Sequence, residues 1–456
     1  MHLRYLIVQK LGIDKAILYT ILGKGLQMST AAFTVLFIAK YLSPNEQGYY
    51  YTFGSIVAIQ VFFELGLTSI ITQFVAHEAS HLQIINGTEL QGEEKYKSRL
   101  SSLLRFCTKW YIIFAFLLLV ALTVIGYFFF TKYSNSHNII WKLPWVLLVI
   151  GTAFNLFISP IISFIEGLGK VKEVAQIRLV QQILYPLVVW GGLAIGSKLF
   201  VSGADAILKV IVVGIIILKS PFYKLLRNIW NYLKEEKVSY KLEIFPYQWR
   251  IALSWISGYF IFQLFNPVLF ATEGPKVAGQ MGITMAALNG MQALSQSWIN
   301  TKVPRFSGLI AQKDYQTLDY LFGKTMKQMM LVGTFLLILF TTIIGAFQIF
   351  EIKLWGMDIG SRFLPLLPLS LMAWSIFTML PISCWSTYLR CHKKEPLLLN
   401  SIVVGILCCF STLIIGNLYG LMGMAISFAL LRFISLIWIY TIFKTKKRLW
   451  HDDRKK

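Results

Sequence analysis

LFIAKYLSPNEQGYYYTFGSIVAIQVFFELGLTSIITQFVAHE, residues 36–78, joins two apolar runs through one short polar turn at Ser43–Gly48. The runs extend over about 17–40 and 51–76. At about 1.5 Å of rise per residue, each is long enough to cross a hydrocarbon core of about 30 Å. Lipid cannot satisfy a bare backbone, so runs of this length read as transmembrane helices. The pattern repeats along the chain, with further spans at about 106–130, 145–165, 174–196, 203–219, 251–272, 278–300, 328–350, 364–386, 397–416 and 420–443. The fold class is therefore an all-α polytopic membrane protein of about twelve transmembrane helices.

Composition agrees. The chain is 56% hydrophobic and only 14% charged, against about 25% charged in a soluble domain. The net charge of +22 would suit a nucleic-acid partner if it formed one patch. It is instead concentrated at both termini and in every second loop, which carry several-fold more Lys and Arg than the intervening loops. That is the signature of membrane orientation, and it predicts cytoplasmic termini and no nucleic-acid partner. The start, MHLRYLIVQKLGIDKAILYT, lacks an apolar core followed by a small-residue cleavage site, so no removable signal peptide is expected. Five cysteines, none in a C-x-x-C pair, predict neither structural disulfides nor a thiolate zinc site.

The longest basic connection, about 220–250, divides six spans from six. The predicted organisation is a six-helix lobe at 1–220, a cytoplasmic linker at 221–250, a second six-helix lobe at 251–443 and a basic tail at 444–456. Pro44-Asn-Glu-Gln-Gly48 after the first span matches Pro275-Lys-Val-Ala-Gly279 after the seventh, and the basic turn at Lys170–Lys172 matches Lys393–Lys394. An even number of spans per half makes such a repeat parallel, with a pseudo-twofold along the membrane normal.

Several stretches resemble the oligosaccharide flippases, the Wzx-like branch of the multidrug/oligosaccharidyl-lipid/polysaccharide exporters. The resemblance lies in Leu42-Ser43-Pro44, Glu46 and Gly48, then Leu65-Gly66-Leu67. It continues in SFIEGLGKVKEVAQIRLVQQ (163–182) and VPRFSGLIAQKDYQTLDYLFGK (303–324). It implies a two-lobed bacterial inner-membrane transporter without a cofactor. Alternating access would move an undecaprenyl-diphosphate-linked oligosaccharide outward, for surface polysaccharide made with a polymerase and glycosyltransferases. A cation-coupled multidrug antiporter is the alternative within that superfamily. A polysaccharide polymerase or ligase should carry a large outer loop, and the outer loops here are short.

A different class is raised by His77-Glu78-Ala79-Ser80-His81, an H-E-x-x-H pattern. On a helix, its histidines share a face and could ligate zinc while the glutamate activates water. An intramembrane protease needs a third ligand, and none of the seven aspartates lies in an L-D-G motif. The motif reads as polar residues at a helix end, with no metal expected.

Charges within spans cost about 2.5–3.5 kcal/mol each at a helix centre, so they face the bundle interior. Lys24 shares a helix face with Thr20 and Gln27, and Glu64 shares one with Gln60. Lys24 and Glu64 could line a polar cavity or form a packing pair. Lys209 could snorkel. Arg178, Gln182 and Tyr185 make a face on the fifth span, and Arg432 lies within the twelfth. Asn289, Gln292, Gln296 and Asn300 form an amide stripe on the eighth. It either bonds sugar hydroxyls in a wet cavity or joins helices. The candidate substrate-binding set is Lys24, Gln27, Glu64, Arg178, Gln182, Asn289, Gln292, Gln296 and Arg432.

Overall fold

The computed structural model describes residues 15–451 apart from 135–138, 233, 235, 355 and 393. Side chains at 15–18, 20–22, 24, 28, 31, 32 and 354 are also outside the description. The expectation about a leader at the extreme N-terminus lies outside the described residues.

The helices in chain order are α1 Lys15–Tyr41, α2 Pro44–Ala79, α3 Glu94–Tyr133, α4 Lys142–Gly167, α5 Val171–Ala194, α6 Phe200–Lys219 and the short α7 Pro221–Asn231. After these come α8 Tyr240–Thr272, α9 Pro275–Asn300, the short α10 Val303–Ala311, α11 Tyr315–Ile349 and α12 Leu366–Cys391. The last two are α13, Leu398–Phe410 with a wide turn at Ser411–Ile415, and α14, Gly416–His451. Nine helical segments among the described residues are long and apolar enough to span a bilayer. Three facts turn nine into twelve passes. The helix α1 is 27 residues long. The 26-residue α9 falls short in hydropathy because of its amide stripe. Leu398–His451 is two passes, because Gly420 breaks it at φ 55°, ψ −145°. Six spans precede α7 and six follow it.

Contacts gather the described residues into two compact units. One comprises Met1–Thr30, Ile56–Lys132 and His137–Trp255; the other comprises Ala31–Ser55, Tyr133–Ser136 and Ile256–Lys456. Ala31–Ser55 packs with the second unit despite its early position, and the 221–250 connection packs within the first.

The turn from α1 to α2 shows why its residues occur in that order. Ser43 and Glu46 form a capping box: the Ser43 N–H donates to Glu46 Oε2 at 2.8 Å, and the Glu46 N–H donates to Ser43 Oγ at 3.2 Å. The arrangement satisfies two otherwise bare helix-start donors while Pro44 sets the first helical φ. Gln47 Nε2 then donates to the carbonyls of Gly279 at 2.8 Å and Arg362 at 3.1 Å. A Cβ on Gly279 would meet Gly48 N at 2.7 Å and Pro44 O at 3.1 Å. The two matching turn motifs thus pack directly on each other.

Within the first unit, the 221–250 connection is docked instead of hanging free. On α7, Phe222, Leu225 and Ile229 are buried, while Tyr223, Lys224 and Arg227 stay exposed. Ser220 caps its first turn, accepting from the Phe222 N–H at 3.3 Å. Arg105 on α3 holds its far end through the Trp230 carbonyl, at 3.1 and 2.7 Å. A hairpin of β1 Leu82–Ile85 and β2 Glu89–Gly92 follows α2, and Asn228 Nδ2 donates to Thr88 O on its turn at 2.8 Å.

Candidate functional site

The polar groups of the spans sort into satisfied and unsatisfied sets, and only the second can serve a ligand directly. In the first unit, α2 is interrupted just after Glu64: Leu65 (φ 50°) and Gly66 (φ 66°) are left-handed. Leu65-Gly66-Leu67 is therefore a helix break, with Gly66 pressed against Ile251 where a side chain would begin. Broken helices at membrane depth occur where protein or water surrounds the freed backbone. Thr68 Oγ1 donates to Glu64 Oε1 at 2.6 Å across the break, holding the carboxylate there. Tyr111 lies within electrostatic reach of Glu64, and its buried hydroxyl has no hydrogen-bond partner among the described residues.

Lys24 lies in α1, but its side chain, like that of Thr20, is outside the described residues, so a Lys24–Glu64 pair is not seen either way. Gln27 is exposed. Gln182 from α5 is brought against the α1 backbone, its amide filling the space over Gly23. Gln182 Oε1 is buried with no hydrogen-bond partner among the described residues. Arg178, one turn away, is occupied: it forks onto Glu166 at 3.2 and 2.6 Å and is half-exposed. Lys209 is also satisfied, paired with Asp205 at 2.7 Å and set over the Tyr185 ring at 4.9 Å. It does not simply snorkel.

The second unit holds the amide stripe and Arg432. Asn289 and Asn300 are exposed, and Gln292 and Gln296 are half-buried. Among the described residues none of the four amides bonds to another helix, so the stripe does not glue helices. Primary amides left bare to lipid would cost several kcal/mol each, so this face must meet water or a polar ligand. Arg432 is the opposite case, only 5% exposed. Its Nε is enclosed without a partner, and its guanidinium makes no hydrogen bond or ion pair among the described residues. The rings of Phe262 and Phe428 face it at 5.8 and 6.0 Å. Aromatic faces soften the cost of such a charge, but they do not neutralise it.

The H-E-x-x-H residues are arranged for a different task. Glu78 is 2% exposed and is held by Arg99 through Nε and Nη2, both at 3.0 Å. Arg99 Nη2 also reaches Glu243 at 2.6 Å. The paired carboxylates raise the Arg99 pKa. Burial pulls Glu243 upward, but its bonds to Arg99 and the Ser239 N–H outweigh that and hold it below the usual carboxylate range. His77 points outward, and His81 stacks on Tyr96 at 4.1 Å. A glutamate locked by an arginine cannot activate a water. No group of three or more His, Cys, Asp or Glu that could hold a metal occurs among the described residues. Sequence reasoning missed this clamp because Arg99 and Glu243 lie 21 and 165 residues beyond Glu78.

No family model and no curated protein matches this sequence, whereas solved structures do. An inward-facing MATE-family multidrug resistance transporter of the MOP superfamily aligns over 96% of this chain and 100% of its own, with TM-score 0.63 and 11% identity. The lipid II flippase MurJ, in an inward closed conformation, aligns over 95% of this chain and 89% of its own, with TM-score 0.57 and 14% identity. A MOP superfamily transporter from Pyrococcus furiosus, described by a reversed polarity of its binding pocket, aligns over 94% and 95%, with TM-score 0.52 and 11% identity. At these identities the likeness establishes the fold: this is a multi-pass helical membrane protein with the two-lobed architecture of MOP-superfamily transporters.

Proposed function

We propose that the protein is a flippase for a lipid-linked oligosaccharide with an anionic head, of the undecaprenyl-diphosphate class. It would carry the head across the bacterial cytoplasmic membrane, both termini being cytoplasmic, and supply a polysaccharide polymerase with units built by glycosyltransferases. Transport would proceed by alternating access of the six-helix lobes proposed at 1–220 and 251–443, the 221–250 connection being carried within the first unit. The observation that carries this reading is the amide face Asn289, Gln292, Gln296 and Asn300, four donor–acceptor groups three or four residues apart on one helix that bond to no other helix among the described residues. Arg432 supports it, because a buried guanidinium with no partner among the described residues suits an anionic cargo. Within the first unit, Lys24, Gln27, Glu64 and Gln182 would be the substrate-binding groups, with Arg178 held in its ion pair with Glu166.

The same residues suit a cationic drug poorly, since an uncompensated Arg432 would repel it. Outward movement of an anion is also favoured by an inside-negative potential, by about 2.3 kcal/mol per charge per 100 mV. The test is to delete the gene and identify the lipid-linked saccharide that accumulates on the inner leaflet. The purified protein in vesicles should then flip that lipid. A deletion strain with no such accumulation and normal surface glycan would sink the proposal.

A further inference from the structure

In the first unit, the turn of the β1–β2 hairpin and the junctions of α4 with α5 and of α6 with α7 enclose a groove of about 440 Å³. That is within the usual size of a ligand pocket. Its rim is polar, with Lys170, Glu173, Gln176 and the hairpin residue Gly87. One turn deeper the wall is apolar, with Val180 on α5 and Ile216 on α6, and Phe222 of α7 also lines it. Asn228 pins the hairpin there through the Thr88 carbonyl, next to Gly87. The neighbouring Lys172, Lys219 and Lys224 are all exposed, so this is the water end of both spans.

The charges of the groove are matched in number but not to each other. Lys170 caps α5 and Glu173 lies in its first turn, and they are the charged side chains that line the groove among the described residues. Neither makes an ion pair or side-chain hydrogen bond among those residues, and nor does the Gln176 amide. A cation and an anion one turn apart, with no net charge, complement a zwitterion. The apolar wall continues into the span. Gln176, Val180, Ile183 and Leu187 recur at intervals of 4, 3 and 4 residues on one face of α5, opposite the face that carries Arg178, Gln182 and Tyr185. Ile183 and Leu187 are 43% and 64% exposed. From Gln176 to Leu187 the helix rises about 16 Å, close to half of a hydrocarbon core of about 30 Å.

We propose that this groove seats a zwitterionic phospholipid whose head ends in a primary ammonium, as in phosphatidylethanolamine. Lys170 takes the phosphate, Glu173 and the Gln176 carbonyl take the ammonium, and one acyl chain lies along Val180, Ile183 and Leu187. A trimethylammonium head has no N–H to give Glu173. A glycerol head brings a net negative charge beside that carboxylate. The seat does not depend on what the protein transports.

The experiment is native mass spectrometry of the full-length protein in detergent, delipidated and then given equal amounts of dioleoyl phosphatidylethanolamine, phosphatidylcholine and phosphatidylglycerol. The wild type should retain one phosphatidylethanolamine in preference to the other two. Glu173→Gln should cut the preference over phosphatidylcholine about tenfold, and Lys170→Gln should weaken retention of phosphatidylethanolamine by a similar factor, since each removes a charge-assisted hydrogen bond. Neither side chain holds another part of the protein, so without lipid both variants should melt as the wild type does. Lys172→Gln, in the same turn but outside the groove, should retain the lipid like the wild type. Soluble O-phosphoethanolamine should not displace it. Equal retention of the three lipids, a preference for phosphatidylglycerol, displacement by O-phosphoethanolamine, or a preference that survives both Glu173→Gln and Lys170→Gln would overturn the seat.

Discussion

The carbonyl oxygen of Pro275 occupies the place where a side chain on Gly48 would begin. Gly48 closes the first copy of a repeated turn and Pro275 opens the second, so the halves of the repeat meet through their matching residues. The contact needs glycine for space, not for backbone freedom, because Gly48 lies in regular helix.

Gly48→Val should therefore force backbone apart at the turn. Overpacking of this kind costs about 1–3 kcal/mol and should appear as a lowered melting temperature in detergent. Gly54→Ala, at a glycine with no atom within 4 Å of its Cβ position, should leave stability unchanged or slightly raised. Equal losses at both positions would count against close packing of the two motifs.

The Glu78–Arg99–Glu243 clamp makes an opposite pair of predictions for H-E-x-x-H. Replacing His77 and His81 with alanine should leave stability and transport intact. Glu78→Ala strands a partly buried Arg99, and breaking one side of a buried pair costs about 3–5 kcal/mol. Because the folded Glu243 pKa lies below its free value of 4.5, its contribution is complete above that pH. It is lost as pH falls through the lower folded value. Thermal scans between pH 7 and 3 on wild type and Glu243→Gln measure this, and metal analysis should find no zinc bound by His77 and His81.

Arg432→Met removes a buried charge that has no hydrogen-bond or ion-pair partner among the described residues, and keeps the aliphatic volume. The variant should be at least as stable as the wild type, since filling such a site with an apolar isostere is often neutral or stabilising. It should nevertheless lose transport. A destabilised variant with transport retained would make Arg432 a packing residue.

Lys24 and Glu64 can be separated genetically. Lys24→Arg should keep partial transport, while Lys24→Ala and Lys24→Glu should abolish it. If Lys24 only neutralised Glu64, then Lys24→Ala with Glu64→Ala would restore transport, because no unpaired charge would be left. The expected outcome is that the double variant stays inactive.

Topology is checked in a cysteine-free background with impermeant thiol reagents. Cysteines at Asn45 and Asp358 should label from outside, and those at Glu94, Lys237 and Lys446 only after permeabilisation. Outside labelling at Lys237 would break the six-plus-six arrangement.

The sequence by itself determined the passes. Twelve apolar runs of bilayer length must be helical, because lipid offers the backbone no hydrogen bonds, and the short polar stretch Ser43–Gly48 marks the turn between the first two. Those are properties of neighbouring residues. The break at Leu65-Gly66 inside the second run came only from the structure. Only the tertiary structure decided which polar groups are already satisfied. Arg178 meets Glu166 across a helix turn, Glu78 meets Arg99 beyond a hairpin, and His392 meets His451 from a different helix. Asn289, Gln292, Gln296 and Arg432 meet no hydrogen-bonding or ion-pair partner among the described residues. A side chain's partner is chosen by helix packing over distances of tens to hundreds of residues, and composition and periodicity carry no record of that choice.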